Sequence, residues 1–446
     1  MDLLKRFFKF VIPSIVSMWI FSLYSMVDGV FVARGVGEVA LRAVNLSMPF
    51  TFLVCTVSIL LATGTSTVIS IALGTDDLEK ARNYFNQNIV VTAVVSLLMT
   101  GLILLNLERA ALLLGATPDT LAYVQEYVGT IAVFAVFFTV SYNLEVQVKA
   151  NGAPHVSTIG VISCALMNVG LDALFVLVFQ WGVWGAALAT GLAQVTSTCV
   201  FILYFLTHRE RLKIQKFRPD LRVYRRILPL GLSEGLNELS NGLVIFLFNH
   251  TILRVIGEGG LTSYTIISYV NTLVLMTMTG TAQGIQPLVS FQLGAGRQWA
   301  CHKLLRYGVS LVAAFSVVAF AVGELGTRLI VSVFLSPESA MFQYSMTALR
   351  LYAVSFLVLG FNVIFAAFFT AVEKPAYALT ISFGRSLILL VGSLLILSAL
   401  LGDTGIWLST LCSETLCLVL TALCIILYFR DIRRADLQRD AMLASQ

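Results

Sequence analysis

Read for apolar and polar positions, the chain is a succession of apolar runs of roughly 20 residues or more, separated by short polar stretches. Twelve such runs lie near 10–33, 43–73, 87–107, 121–148, 156–179, 183–206, 224–255, 261–292, 305–335, 341–370, 376–400 and 404–429. At about 1.5 Å per residue, each is long enough to cross a hydrocarbon core about 30 Å thick as an α-helix. The pattern predicts an all-α polytopic membrane protein of twelve transmembrane helices. The run at 156–179, VSTIGVISCALMNVGLDALFVLVF, places Asn168 and Asp172 one turn apart, so both leave the same helix face. An Asp at the centre of a membrane helix costs about 2.5 to 3.5 kcal/mol on insertion scales, so such residues face a protein interior or a wet cavity.

Further polar positions fall at compatible depth. Ser14, Ser17, Phe21, Ser25 and Asp28 follow spacings of three or four along the first run, and Thr190, Gln194 and Ser197 share a face of the sixth, after the small residues Gly185, Ala186 and Ala187. By rise per residue, Asp28, Asp172 and Thr190 all lie in the half of the membrane away from the N-terminus. The seventh run differs. Opened by Pro229, it carries Glu234, Asn237, Glu238 and Asn241 on one face, which is either cargo-facing or neutralised by Arg225 or Arg226 at the headgroups. Gln283 and Gln286 beside Pro287 mark a helix break or a cargo contact, and Tyr24 and Met276 complete the candidate cargo-binding set. Arg385 and Glu414 are expected to pair structurally across adjacent helices.

Composition agrees with this reading. The chain is 58% hydrophobic and 12% charged with a mean hydropathy of +0.88, outside the range of water-soluble proteins of this size. The first run has no A-x-A cleavage signal and reads as an uncleaved span. The seven cysteines fall mostly within runs and form no C-x-x-C pair, and the four histidines are scattered, so neither set predicts disulfides or metal ligation. Most of the 29 Lys and Arg residues lie in segments on the side of the two termini, against only Arg34, Arg42, Arg109, Arg254 and Arg328 on the other. Both termini are therefore expected to be cytoplasmic. The net charge of +5 follows from this topology and calls for no nucleic-acid partner. A phosphate-binding G-x-x-x-x-G-K-[ST] loop is missing, so ATP is not expected to drive the protein directly.

The charged stretch HRERLKIQKFRPDLRVYRR, at 208–226, separates six runs from six. The halves match in order: Pro13 with Pro229, Gly37-Glu38 with Gly257-Glu258, and Gly64, Ser70 and Gly74 with Gly284, Ser290 and Gly294, each 220 residues on. GVWGAALAT from Gly182 matches GIWLSTLCS from Gly405 in the same way. Repeats of six spans each have the same orientation, so their axis runs along the membrane normal, as in alternating-access carriers. The expected organisation is an N-lobe at 1–207, a basic cytoplasmic linker at 208–223, a C-lobe at 224–430 and a cytoplasmic tail at 431–446.

Together, Pro13 with Asp28, RGVGEVALRAVNLSMP, KANGAPHVSTIG leading to MNVGLDALF, GVWGAALAT and GIQPLVSFQLGAGR resemble the multidrug and toxic compound extrusion (MATE) transporters. The resemblance runs over essentially the whole chain and leans to the DinF-like or MepA-like branches. It implies two six-helix lobes in a V that export amphipathic, cationic drugs or metabolites in exchange for H+ or Na+. The family's N-lobe cation site then falls on Asp28, Asn168, Asp172 and Thr190, which would also be the ligands of Na+. No cofactor is implied, the partners are small organic cations and membrane lipid, and the protein is expected to act as a monomer in the plasma (inner) membrane. The second half departs from the NorM-type pattern, since 341–370 holds no Asp or Glu. Arg42 stands where the family more often has a small residue.

Two other classes compete. A lipid-linked oligosaccharide flippase would need Arg and Lys in its cleft for a diphosphate, and apart from the basic residues assigned to one membrane side or the other the runs hold only Arg350 and Arg385. An intramembrane aspartyl protease would carry G-x-G-D, whereas the acids here sit in SMVDG and VGLDA.

Overall fold

The computed structural model describes residues 2–208 and 211–444. Arg209 and Glu210 of the expected linker, and the last two residues of the expected tail, lie outside the described residues. Every regular element among the described residues is a helix. The first half holds α1 (Leu3–Gly35), α2 (Glu38–Gly74), α3 (Leu78–Leu105), the short α4 (Leu107–Leu113), α5 (Leu121–Ala150), α6 (Pro154–Asp172) and α7 (Gly182–Thr207). The second holds α8 (Tyr224–Val255), α9 (Glu258–Gly294), α10 (Gln298–Leu325), α11 (Thr327–Phe334), α12 (Phe342–Ala353), α13 (Phe356–Ala371), α14 (Pro375–Phe383), α15 (Leu390–Leu401) and α16 (Asp403–Ala444). Helices are the expected solution because hydrocarbon offers no partner to a backbone N–H or C=O.

Ten of the described helices are long and apolar enough to cross a membrane, and the pair α12 and α13, bent by 42°, makes an eleventh. The expected twelfth, α8, is 32 residues long but not among those helices, because Arg225, Arg226, Glu234 and Glu238 dilute its apolar character. Other departures are local. The expected ninth run divides into α10 and α11 at Gly326, and the last helix continues through the expected tail to Ala444. Pro229 and Pro287 neither open nor break a helix, since both lie inside continuous ones. Pro13 is likewise internal to α1, and its carbonyl accepts from Ser17 Oγ at 2.9 Å and from Thr158 Oγ1 of α6 at 3.0 Å.

The duplication read from the sequence recurs in the backbone. The turns before α2 and α9 both place glycine at positive φ, 89° at Gly37 and 93° at Gly257, a conformation a β-carbon would strain. A π-helical segment, Ala173–Val178, follows α6, and another, Gly384–Leu389, follows α14. Apolar packing crosses between the halves at one end. Phe7, Phe10 and Val11 of α1 are buried in the core of the second half, while Ile227 and Leu230 of α8 are buried in a core of α2, α3, α5 and α7 side chains.

The connection after α7 is a strap. Asn83, Asn86 and Gln87, one turn apart on α3, each use both amide atoms on its backbone: Asn83 with Arg218 (2.8 and 2.7 Å), Asn86 with Lys213 and Gln215 (both 2.9 Å), and Gln87 with Asp220 (2.9 and 2.7 Å). Leu212 anchors it, fully buried, with its N–H donating to Asn151. This satisfies an extended backbone that has no ladder partner of its own.

Candidate functional site

Asp28 enters from α1, Asn168 and Asp172 from α6, and Thr190 from α7, helices that pack on one another as the small-residue stripe of α7 predicts. Asn168 and Asp172 are completely buried, and Asp28 is half-buried. The surrounding core is apolar, built from Val32, Ala43, Val44, Val176, Val183 and Ala187 among others. Asp172 is the last α-helical residue before the π-helical segment, a distortion often found at functional sites. The carboxyl groups of Asp28 and Asp172 approach to hydrogen-bonding reach of each other. Asn168 Nδ2 donates to Thr190 Oγ1 at 3.4 Å, and that hydroxyl donates to Ala186 O at 3.0 Å.

In hydrogen-bond geometry the Asn168 amide is given to Thr190 and the Thr190 hydroxyl to Ala186, while the Asn168 side chain also lies beside Asp172. None of the described residues donates to Asp28 Oδ1, to either oxygen of Asp172 or to Asn168 Oδ1. Buried acceptors left in this state are costly, and a proton or a small hard cation would satisfy them together. The four expected residues are therefore brought into one place, and their oxygens fit either coupling ion. The sequence reading missed Tyr127 of α5, which is buried within electrostatic range of both acids. Its only signal was a place on the α5 stripe that continues through Tyr142, Glu145 and Lys149.

The α8 acids form a second group. Arg226 is not their partner, because it forks onto Glu373 Oε1 at 2.6 and 3.1 Å. Asn241 Nδ2 donates to Glu238 Oε2 at 3.3 Å, and Asn237 lies on the same half-buried face. Tyr142 interacts electrostatically with Glu145, Glu234 and Glu238, and Tyr24 with Asp28 and Glu145, so these acids from α1, α5 and α8 face a common interior. Met276 is half-buried on α9. Gln283 and Gln286 are engaged elsewhere: Gln283 accepts from Lys149 Nζ at 3.0 Å and donates to Tyr142 OH at 3.3 Å, and Gln286 donates to Thr67 at 3.2 Å. Arg385 and Glu414 do pair, at 2.7 Å, with Asn362 donating to Glu414 Oε2 at 2.8 Å.

The MatE family profile matches residues 13–174 and 236–395, segments that include Asp28, Asn168 and Asp172. This chain belongs to the MatE family. Its members are transporters, not enzymes. The chain is 25% identical over 437 residues to the multidrug export protein MepA of Staphylococcus aureus strain N315, covering 97% of this chain and 95% of that protein. It is 26% identical over 438 residues to MepA of Staphylococcus saprophyticus, covering 96% and 95%. Among solved structures, the fold matches an outward-facing multidrug resistance MATE family transporter of the MOP superfamily with a TM-score of 0.91 at 21% identity, over 97% of each chain. A MATE in complex with MaL6 matches with a TM-score of 0.92, also at 21% identity, over 97% of this chain and 98% of that one. Thr190 lies beyond the first profile segment, so its place beside Asn168 rests on the geometry described above.

Proposed function

We propose that this MatE-family transporter exports amphipathic organic cations by antiport with H+ or Na+, in alternating access between an N-lobe at 1–207 and a C-lobe at 224–430. The observation that carries the coupling is the acid pair whose inward oxygens lack donors. A site of that kind takes up an ion when exposed to one side and releases it to the other. Antiport then requires only that ion and cargo each disfavour the other, a reciprocity fixed by linkage. The inward ion is substrate here, held by Asp28, Asn168, Asp172 and Thr190. Glu234 and Glu238 supply the negative field that draws a cationic cargo to the interior, with Asn237, Asn241, Tyr24 and Met276 around it. The drug-export names of the MepA relatives agree with such a cargo. The basic end that holds the termini and the 208–223 strap is assigned to the cytoplasm, and the protein to the plasma membrane as a monomer.

A diphosphate-carrying cargo is disfavoured because the interior cations Lys149 and Arg385 are each neutralised by a carboxylate, at 2.9 and 2.7 Å. Uptake of a cationic dye and of a neutral one into inverted vesicles tests the cargo assignment. Glu234→Gln together with Glu238→Gln should slow the cationic dye about tenfold and the neutral one much less. Equal rates for both dyes in variant and parent would show that these acids do not select cargo.

A further inference from the structure

The closest approach between the halves is at the end where α1 and α8 begin. A β-carbon added to Gly284 of α9 would lie 2.7 Å from Val11 Cα, and one at Gly280 would lie 2.6 Å from Ile15 Cα. The second half answers in kind: β-carbons at Gly64 and Gly231 would meet the carbonyls of Ile227 and Leu60, and Gly74 and Gly294 face each other's helices the same way. Farther along α8 the contact loosens, since a β-carbon at Gly242 would meet only the Phe52 ring, at 3.2 Å. Backbones in contact at one end and side chains at the other describe helices that diverge away from the N-terminal end.

Inside this closed end lies a buried charged pair that the coupling site does not use. Lys149 Nζ meets Glu145 Oε1 at 2.9 Å, one turn apart on α5, and Ser157 Oγ of α6 donates to the same oxygen at 2.9 Å. Lys149 is 2% exposed and Glu145 7%. What crosses between the halves is the neutral amide of Gln283, held between Lys149 and Tyr142 beside a small cavity lined by Thr63, Ser66 and Gln286. Pro154 at the start of α6 matches Pro375 at the start of α14, 221 residues on, and by that offset Glu145 and Lys149 correspond to Ala366 and Thr370, so this arrangement occurs once while the glycine contacts occur twice.

We propose that Lys149, Tyr142 and Gln283 are the latch of a cytoplasmic gate, with Glu145 as the positioning residue that neutralises Lys149 on its own helix. Backbone contacts this tight cannot open by side-chain rotation, so α9 must move off α1, α2 and α5 as a body. In that motion Gln283 loses its two bonds, but the ion pair travels intact with α5. Separating an amide from an ammonium is a modest loss, whereas pulling apart a buried ion pair would be severe. The latch rests on the alternating-access reading above.

The test is the distance between spin labels at Lys80→Cys and Trp299→Cys, exposed positions at this end of the two halves, in a background lacking the unburied Cys55, Cys199 and Cys412. Parent protein reconstituted in lipid should show a short and a long population whose ratio responds to an added cationic dye. Gln283→Met keeps the side-chain length and the ion pair but removes both bonds, and should shift that ratio toward the long distance about tenfold. Gly284→Ala should shift it in the same direction, Gln283→Glu, which still accepts from Lys149, should keep the short population, and Gly101→Ala, with open space around it, should change nothing. Two populations in the parent that Gln283→Met leaves unaltered would overturn the latch and spare alternating access. A single, dye-insensitive distance in the parent would overturn both.

Discussion

Asp172 is the residue on which the proposed coupling depends most. Both its oxygens are buried without a donor, and Asp172→Asn would replace one of them with a donor of its own while conserving volume. Ion-driven efflux by that variant should fall by about tenfold or more, with the amount of folded protein unchanged in the membrane. Thr190→Val, which removes the acceptor for Asn168, should slow efflux only a few-fold, because both carboxylates remain. Arg385 and Glu414 play a different part, since Glu414 is satisfied by Arg385 and Asn362. Glu414→Ala should cost about 3 to 5 kcal/mol by stranding a buried guanidinium, read as a lower melting temperature in detergent, whereas Arg385→Met with Glu414→Leu should restore most of it. Asp28, Asn168 and Asp172 were legible in the sequence because a polar residue in an apolar run stands out. Glu145 and Lys149 were not: near the end of such a run, a lysine reads as a headgroup residue, and only the spacing of four hinted at the pair.

Among the elements, the long apolar helices were visible in the hydropathy pattern, and their irregularities were not. The π-helical turn after Asp172 and the bend between α12 and α13 involve no residue that the sequence marks as a breaker, and the second π-helical turn starts on Gly384, one glycine among many in these spans. They arise from tertiary packing that a one-dimensional pattern does not contain. α8 was visible as a helix by its face of polar residues, and that same face removes it from the set of helices apolar enough to span alone. The strap was legible only as charge. Its order comes from Asn83, Asn86 and Gln87 on α3, and Asn86→Ala with Gln87→Ala should release it. Limited trypsin digestion of inverted vesicles should then cleave at Arg211, Lys213, Lys216 or Arg218 several times faster than in the parent, and an unchanged rate would mean that Asn83 and Leu212 are enough to hold the segment.

At the scale of the whole molecule, the internal repeat read from Gly64, Gly74, Gly284 and Gly294 proves to be a set of contacts between the halves, so the residues that betrayed the duplication also close one end. The acid pair lies toward the other end of α1, well beyond the Val11 and Ile15 contacts, as an ion site opposite a closed gate requires. The account therefore turns on coupling through that pair. The most direct measurement is uptake of a cationic dye into inverted vesicles given an H+ gradient with an acidic lumen, then a Na+ gradient with a Na+-rich lumen, then neither, for the parent and for Asp28→Asn with Asp172→Asn. One of the two gradients should drive dye movement in the parent, and the double variant should show none beyond leak. Dye movement in the parent without either gradient, or gradient-driven movement that survives in the double variant, would contradict the account.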